Sequence, residues 1–230
     1  SPAAKAINLT PPRGIMLVGV PGCGKSLAAK AIAREWQLPL LKLDAGRLFD
    51  KFIGESEKNF RKAIEMAESL SPIVLWIDEI EKAFHQSDND QDGGTSARVL
   101  GTFLSWLQEK KQAVFVIATA NQIDRLPPEL VRKGRFDEIF FVDLPSMPIR
   151  AEIAGIHLVN RGQQRQRFDL KQIAEATEGF SGAEIEQAIV SALYEAHAEK
   201  EPLATRHVLE AALTTRPLSV VMAENIAALR

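Results

Sequence analysis

Residues Gly19–Ser26 read GVPGCGKS, directly after the apolar run Ile15–Gly19 and directly before a helical pattern over Leu27–Trp36. A polyphosphate needs several backbone N–H donors converging on it. Glycines let the chain wrap that closely, and the helix that follows contributes the positive end of its dipole. GxxxxGK[ST] between a strand and a helix is the spacing of a phosphate-binding loop, which constrains the chain to an α/β architecture. Pro21, Gly22, Cys23, Gly24, Lys25, Ser26 and Leu27 are therefore candidate nucleotide contacts. Within that set Lys25 is suited to the β/γ-phosphates and Ser26 to Mg²⁺. The loop alone admits ATP or GTP. The motif does not dictate the residue type at Cys23, which reads as a spacer rather than a redox handle.

Further apolar runs recur at Leu40–Leu43, Ile73–Ile77, Val114–Ala118 and Ile139–Val142, mostly separated by helix-length segments of 3.6-residue periodicity. This alternation predicts a five-stranded parallel sheet flanked by helices, apolar on both faces, with its chemistry at the carboxyl ends of the strands. After Pro145 the strand pattern stops, and helices are expected over Pro148–Asn160, Leu170–Thr177, Gly182–Lys200, Ala204–Thr214 and Val220–Arg230. The expected organisation is a linker over 1–13, a P-loop α/β domain over 14–146 and a small all-α lid domain over 147–230. A hinge is expected near Leu144–Pro148.

Composition excludes several classes. With 230 residues and 46% hydrophobic content the chain can bury a sizeable core, and a net charge of −2 supplies no general field for nucleic acid. The single cysteine rules out an internal disulfide framework and suits a reducing compartment, such as bacterial cytoplasm or plastid stroma. No apolar run reaches the roughly 18 residues of a membrane span. The opening SPAAKAINLTPP has no initiator Met and no signal-peptide core, and MAENIAALR is an amphipathic pattern without a stop signal; both ends read as cuts in a longer chain.

A second chemical element is IVLWIDEI, Ile73–Ile80, in which a buried strand delivers Asp78 and Glu79 at its carboxyl end. Asp78 is suited to holding Mg²⁺, and Glu79 to polarising an attacking water, so the pair favours hydrolysis over transfer to another acceptor. Two other patterns carry less. DNDQDG places Asp88, Asp90, Asp92 and Gly93 like the start of a calcium loop, but the twelfth position is Val99 where a bidentate Glu is required. The arginines of NRGQQRQRF lack interleaved aromatics and read as a surface connection rather than a nucleic-acid groove.

The blocks PPRGIMLVG, KFIGESEKNFR, WIDEIEKAF, VIATAN, LPPELVRKGRFDEIF and GFSGAEIEQA follow one another in an order and spacing that resembles the AAA family of ring-forming ATPases. The likeness is to the branch of proteasomal ATPases, microtubule-severing enzymes and the valosin-containing protein. It implies ATP with Mg²⁺, a homo-oligomer of hexameric type, and work on a protein partner. By the same resemblance Asn121 is the sensor that positions the water, and Arg132 and Arg135 are arginine fingers acting on a neighbouring subunit's ATP. His157 resembles the adenine-contacting histidine, Gly182-Ala183 the lid segment over the nucleotide, and Phe52-Ile53-Gly54 the pore loop that grips a polypeptide. Many members carry Pro where this chain has Lys133, which leaves both arginines in place. WIDEIEKAF, LGTFLSWL, RKGRFDEIFF and RPLS are similar to the hypothetical chloroplast reading-frame ATPases of cyanobacteria and plastids, a group associated with photosynthetic carbon use. Two functions stay open: a ring that converts hydrolysis into remodelling of a protein, and an ATP-dependent regulatory platform without threading.

Overall fold

The computed structural model describes residues 12–46, 55–83, 93–215 and 217–221. The Phe52-Ile53-Gly54 segment, the acidic loop Asp88–Asp92 and most of the helix expected over Val220–Arg230 lie outside them. The described chain clusters into two compact units. One holds the residues up to Val18 with Lys25–Phe141, and the other holds Gly19–Gly24 with the residues from Val142 onward.

In the first unit the five expected strands form: β1 (Gly14–Gly19), β2 (Leu40–Asp44), β3 (Ile73–Asp78), β4 (Val114–Ala120) and β5 (Glu138–Val142). They make one sheet in the order β2-β3-β4-β1-β5. β1 pairs parallel to β4 with Leu17 opposite Thr119, and β3 pairs parallel to β2 with Asp78 opposite Asp44. The central strands are built from Met16, Leu75, Trp76, Ile77, Val116 and Ile117, all buried. Continuous apolar strands of this kind are what a sheet covered on both faces requires. The helices along this part of the chain are α1 (Lys25–Glu35), α2 (Glu55–Ser69), α3 (Gly93–Glu109) and the single turn α4 (Pro128–Val131), with a 3-10 turn at Ile80–Ala83. Phe103 of α3 is buried and meets Phe60 edge-on, with ring centroids 5.8 Å apart.

The expectation that every strand is apolar and buried on both faces fails at the edges. β2 alternates between half-buried and exposed positions, and on β5 Ile139, Phe140 and Phe141 are 37–49% exposed. Each edge strand has a neighbour on one side only, so less of its surface is covered.

The second unit contains four of the expected helices, shifted by at most a residue at their ends: α5 (Met147–Asn160), α6 (Leu170–Ala176), α7 (Gly182–Glu199) and α8 (Thr205–Thr214); the short α9 (Leu218–Val221) overlaps the helix expected over Val220–Arg230 only at its first two residues. Leu158, Ile173, Ile185, Ile189 and Val208 form its core. The helix ends follow local chemistry. Asp169 accepts from Gln172 N at 3.0 Å to start α6. Ser181 and Glu184 cap α7 reciprocally, satisfying two backbone donors that a helix start leaves free. Lys200, at φ 61°, turns the chain out of α7 in the left-handed conformation.

Candidate functional site

The phosphate-loop sequence does what its glycines permit. Gly22 and Gly24 sit at φ 76° and 92°, a region that side-chain-bearing residues enter only with strain. The Gly22 carbonyl accepts from Ala183 N at 3.1 Å, and a Cβ on Gly22 would lie 2.9 Å from Ser181 Oγ. A Cβ on Gly182 would stand 3.3 Å from the same carbonyl. The loop residue Gly22 and the start of α7 therefore touch inside one compact unit, which brings the predicted Gly182-Ala183 segment to the phosphate loop. Cys23 is half-buried, Lys25 is buried at the start of α1, and Ser26 and Leu27 are exposed.

At the carboxyl ends of β3 and β4 a network joins the two acidic residues. Asp78 Oδ1 accepts from Thr119 Oγ1 at 2.7 Å, and the same hydroxyl accepts from Glu79 N at 3.1 Å. Glu79 lies at φ 51°, a left-handed conformation that costs free energy in a non-glycine residue and persists where its surroundings enforce it. The hydrogen bond from Glu79 N to the buried Thr119 is one such restraint. Asn121, just beyond β4, donates from Nδ2 to Glu79 Oε1 at 3.0 Å, so the predicted sensor and the predicted base meet.

Two cations complete the arrangement. Lys42 Nζ is 2.8 Å from Asp78 Oδ2 and 4.3 Å from the centre of the Trp76 ring. Lys82 forms an ion pair with Glu79 Oε2. That hydrogen bond, with the charges of Glu79, Asp44 and Glu81, raises the Lys82 pKa above its ordinary value. Glu81 is buried, and burial raises its pKa although its Oε1 accepts from Asn121 N at 2.9 Å.

Sequence reasoning singled out none of Lys42, Thr119, Glu81 and Lys82. Thr119, Glu81 and Lys82 carried a local signal, lying within three residues of predicted site residues, whereas Lys42 is revealed only by the register that sets β2 against β3.

The remaining predicted residues are placed as follows. Arg132 ends α4 and is exposed, and Arg135 is half-buried just beyond Gly134, whose carbonyl accepts from the Arg13 guanidinium. His157, on α5, has Nδ1 3.4 Å from Arg161 NH1 and 3.6 Å from Glu186 Oε1. Arg161 also pairs with Glu186 at 2.8 Å, and Arg165 pairs with Glu152, so these arginines of the NRGQQRQRF patch face carboxylates.

Oxygen donors from a serine hydroxyl and a carboxylate are the chemistry a hard divalent cation prefers, so Ser26 and Asp78 fit Mg²⁺ by type. Within the first unit, Lys25, Ser26, Asp78, Glu79 and Asn121 are the residue types that nucleoside triphosphate hydrolysis uses.

Comparison with known proteins agrees with this reading. Residues 15–144 match the model of the "ATPase family associated with various cellular activities (AAA)", and residues 167–211 match that of the AAA+ lid domain. The chain is 53% identical over 217 residues to "Uncharacterized AAA domain-containing protein ycf46" of Trieres chinensis, covering 94% of this chain and 44% of that protein. The protein of the same description from Gracilaria tenuistipitata var. liui is 51% identical, covering all of this chain and 47% of its own length. A proteasome-activating nucleotidase of Aeropyrum pernix is 38% identical over 199 residues, covering 84% of this chain and 48% of that protein. The chain thus spans about half the length of the curated relatives it matches.

Proposed function

The chain belongs to the AAA family of ATPases, and we propose that it binds ATP with Mg²⁺ and hydrolyses it, in a homo-oligomer of hexameric type that remodels a protein partner. The observation that carries the reading is the hydrogen bond from Asn121 to Glu79, which holds a carboxylate oxygen beside a backbone fixed by Thr119. In this scheme Glu79 accepts the proton of the attacking water and Asn121 keeps the carboxylate oriented. Lys25 and the amides of the loop from Pro21 to Leu27 hold the phosphates. Ser26 and Asp78 hold Mg²⁺, which supplies charge neutralisation at the transferring phosphoryl group. His157 and the Gly182-Ala183 segment contact the nucleotide, and Arg132 and Arg135 serve the ATP of a neighbouring subunit.

Glu79→Gln is expected to bind ATP but lose turnover, and Lys25→Ala to lose binding. Near-normal hydrolysis by Glu79→Gln refutes the assignment. Mixing Lys25→Ala and Arg135→Ala chains should restore part of the activity if sites are shared. Verified co-assembly without any rescue counts against trans-acting arginines.

The partner and setting are finer proposals. The likeness to the ycf46 proteins, with the single cysteine, supports a cyanobacterial cytoplasm or plastid stroma; a role in photosynthetic carbon use is proposed from the sequence resemblance alone. Phe52-Ile53-Gly54 serves as the pore loop in the remodelling reading. A second reading, an ATP-dependent binding platform with slow turnover, is favoured by the pairing of Asp78 with Lys42 and of Glu79 with Lys82, since each ion pair occupies a carboxylate that hydrolysis requires. Phe52→Ala separates the two: it abolishes remodelling and spares basal hydrolysis if the pore acts, and leaves a platform unchanged.

A further inference from the structure

Glu81 has no part in the scheme above, yet its position is costly. It is 4% exposed, one carboxylate oxygen accepts from Asn121 N at 2.9 Å, and the other has no hydrogen-bond partner among the described residues. A buried carboxyl group with an unsatisfied oxygen is disfavoured relative to an apolar side chain of the same shape, and such exceptions call for an explanation. Helix capping does not provide one, because the 3-10 turn Ile80–Ala83 is held at its start by Lys82 N donating to Glu79 O at 2.9 Å, and by the buried Ile80 and Ala83.

What Glu81 does accomplish is specific. Asn121 is the first residue past β4, where the strand ladder has ended. Its backbone is tied by the bond from its N–H to Glu81, while its side-chain amide reaches Glu79 Oε1 at 3.0 Å. Two anchors, one on the main chain and one on the amide, leave the Asn121 side chain little freedom. The turn carrying Glu81 begins immediately after Glu79, so one short segment supplies both the carboxylate to be oriented and the anchor of the residue that orients it.

We propose that Glu81 is a positioning residue for ATP hydrolysis, acting through the Asn121 backbone to keep the Asn121 amide on Glu79. The proposal rests on the hydrolytic reading of this site. A residue of this kind acts mainly on the chemical step, because the bond that Glu81 accepts comes from Asn121, whose amide goes to Glu79; the charge of Lys25 also reaches Glu81, which is why nucleotide affinity is read separately.

The test uses the full-length protein, with steady-state ATP hydrolysis and equilibrium binding of a fluorescent ATP analogue as separate readouts. Glu81→Met keeps the shape and removes the acceptor. It should lower kcat about tenfold or more, as expected when a catalytic group loses its orientation, with nucleotide Kd unchanged within about threefold. Glu81→Gln keeps a carbonyl oxygen for Asn121 N and should recover most of the turnover. Glu81→Met combined with Asn121→Ala should be no slower than Asn121→Ala alone.

Wild-type turnover in Glu81→Met, equal losses of binding and turnover, or independent multiplication of the two defects would each overturn the proposal. If Glu81→Met does not fold, Glu81→Asp, one methylene short of Asn121, takes its place with the same expectation and the same refuting outcome. A wild-type protein that binds the nucleotide but never hydrolyses it overturns the hydrolytic reading and this proposal together, whereas a wild-type protein that turns over isolates the fate of Glu81.

Discussion

The Thr119 hydroxyl sits between two functional groups: it donates to Asp78 Oδ1 at 2.7 Å and accepts from Glu79 N at 3.1 Å. One buried oxygen thus fixes the side chain of the residue suited to the metal and the backbone of the residue suited to the water.

Thr119→Val keeps the β-branched shape in strand β4 and deletes both bonds. Losing two part-buried hydrogen bonds, at about 0.5–1.5 kcal/mol each, should lower the unfolding free energy by about 1–3 kcal/mol, measured by urea titration. Hydrolysis should fall further than stability alone explains, because the positive φ of Glu79 loses a restraint. Thr119→Ser, which retains the hydroxyl, should recover most of the hydrolysis. A Thr119→Ser variant as slow as Thr119→Val would show that the methyl group matters and the hydroxyl does not.

Lys82 pairs with Glu79 in a partly exposed setting, where ion pairs contribute little: about 0.2–1 kcal/mol. Lys82→Met should free the carboxylate to accept a proton and raise kcat at saturating ATP by about 1.4- to fivefold, the rate equivalent of that range. Added salt should raise wild-type turnover and leave the variant less affected, since screening weakens the same pair. Lower turnover in Lys82→Met would mean that the lysine assists Glu79 rather than restraining it.

Gly22 and Gly24 both have positive φ but differ in surroundings. A Cβ at Gly22 meets Ser181 Oγ at 2.9 Å and Ala183 Cβ at 3.0 Å, while one at Gly24 meets nothing within 4 Å among the described residues. Gly24→Ala should cost only backbone strain, about 1–2 kcal/mol. Gly22→Ala should cost more in thermal unfolding, because it also pushes on the cap of α7. Equal losses in the two variants would argue against the packing of Ser181 on the loop.

In the helical unit, Glu199 Oε2 lies 3.0 Å from Nε2 of the buried His207 and 3.1 Å from Arg206. The His207 hydrogen bond, followed by that of Arg206, holds the Glu199 pKa below its ordinary value of 4.5. A depressed carboxylate stabilises the fold in full above its unfolded value and loses that contribution as pH falls through the folded value. The melting temperature of wild type should therefore exceed that of Glu199→Gln at neutral pH, and the gap should close below about pH 4.5. A gap that stays constant into acid would remove Glu199 ionisation as its source.

Much of this architecture was readable from the chain because its physics is local. Strand runs such as Ile73–Ile77 are apolar throughout, and the helices of the second unit carry their own start signals in Asp169 and in Ser181 with Glu184. Glu79 and Asn121 were singled out from the sequence as candidate site residues. Their hydrogen bond depends on the alignment of β3 with β4, which pairs residues some forty positions apart. Lys42 was invisible for the same reason: its charge reaches Asp78 across a strand pairing, and nothing in the local sequence distinguishes it from a surface lysine. The exposed aromatics of β5 misled, since an apolar run reads the same whether its strand lies at the centre of a sheet or at its edge.

The contact of Ala183 N with the Gly22 carbonyl also bears on biosynthesis. These partners are 161 residues apart (183 − 22), so at translation rates of about 5–20 residues per second the loop waits on the order of ten to thirty seconds for its partner. On the ribosome the phosphate loop is thus made well before the segment that completes it. Nucleotide affinity measured on stalled nascent chains of increasing length should therefore rise only once Ser181–Ala183 has cleared the exit tunnel.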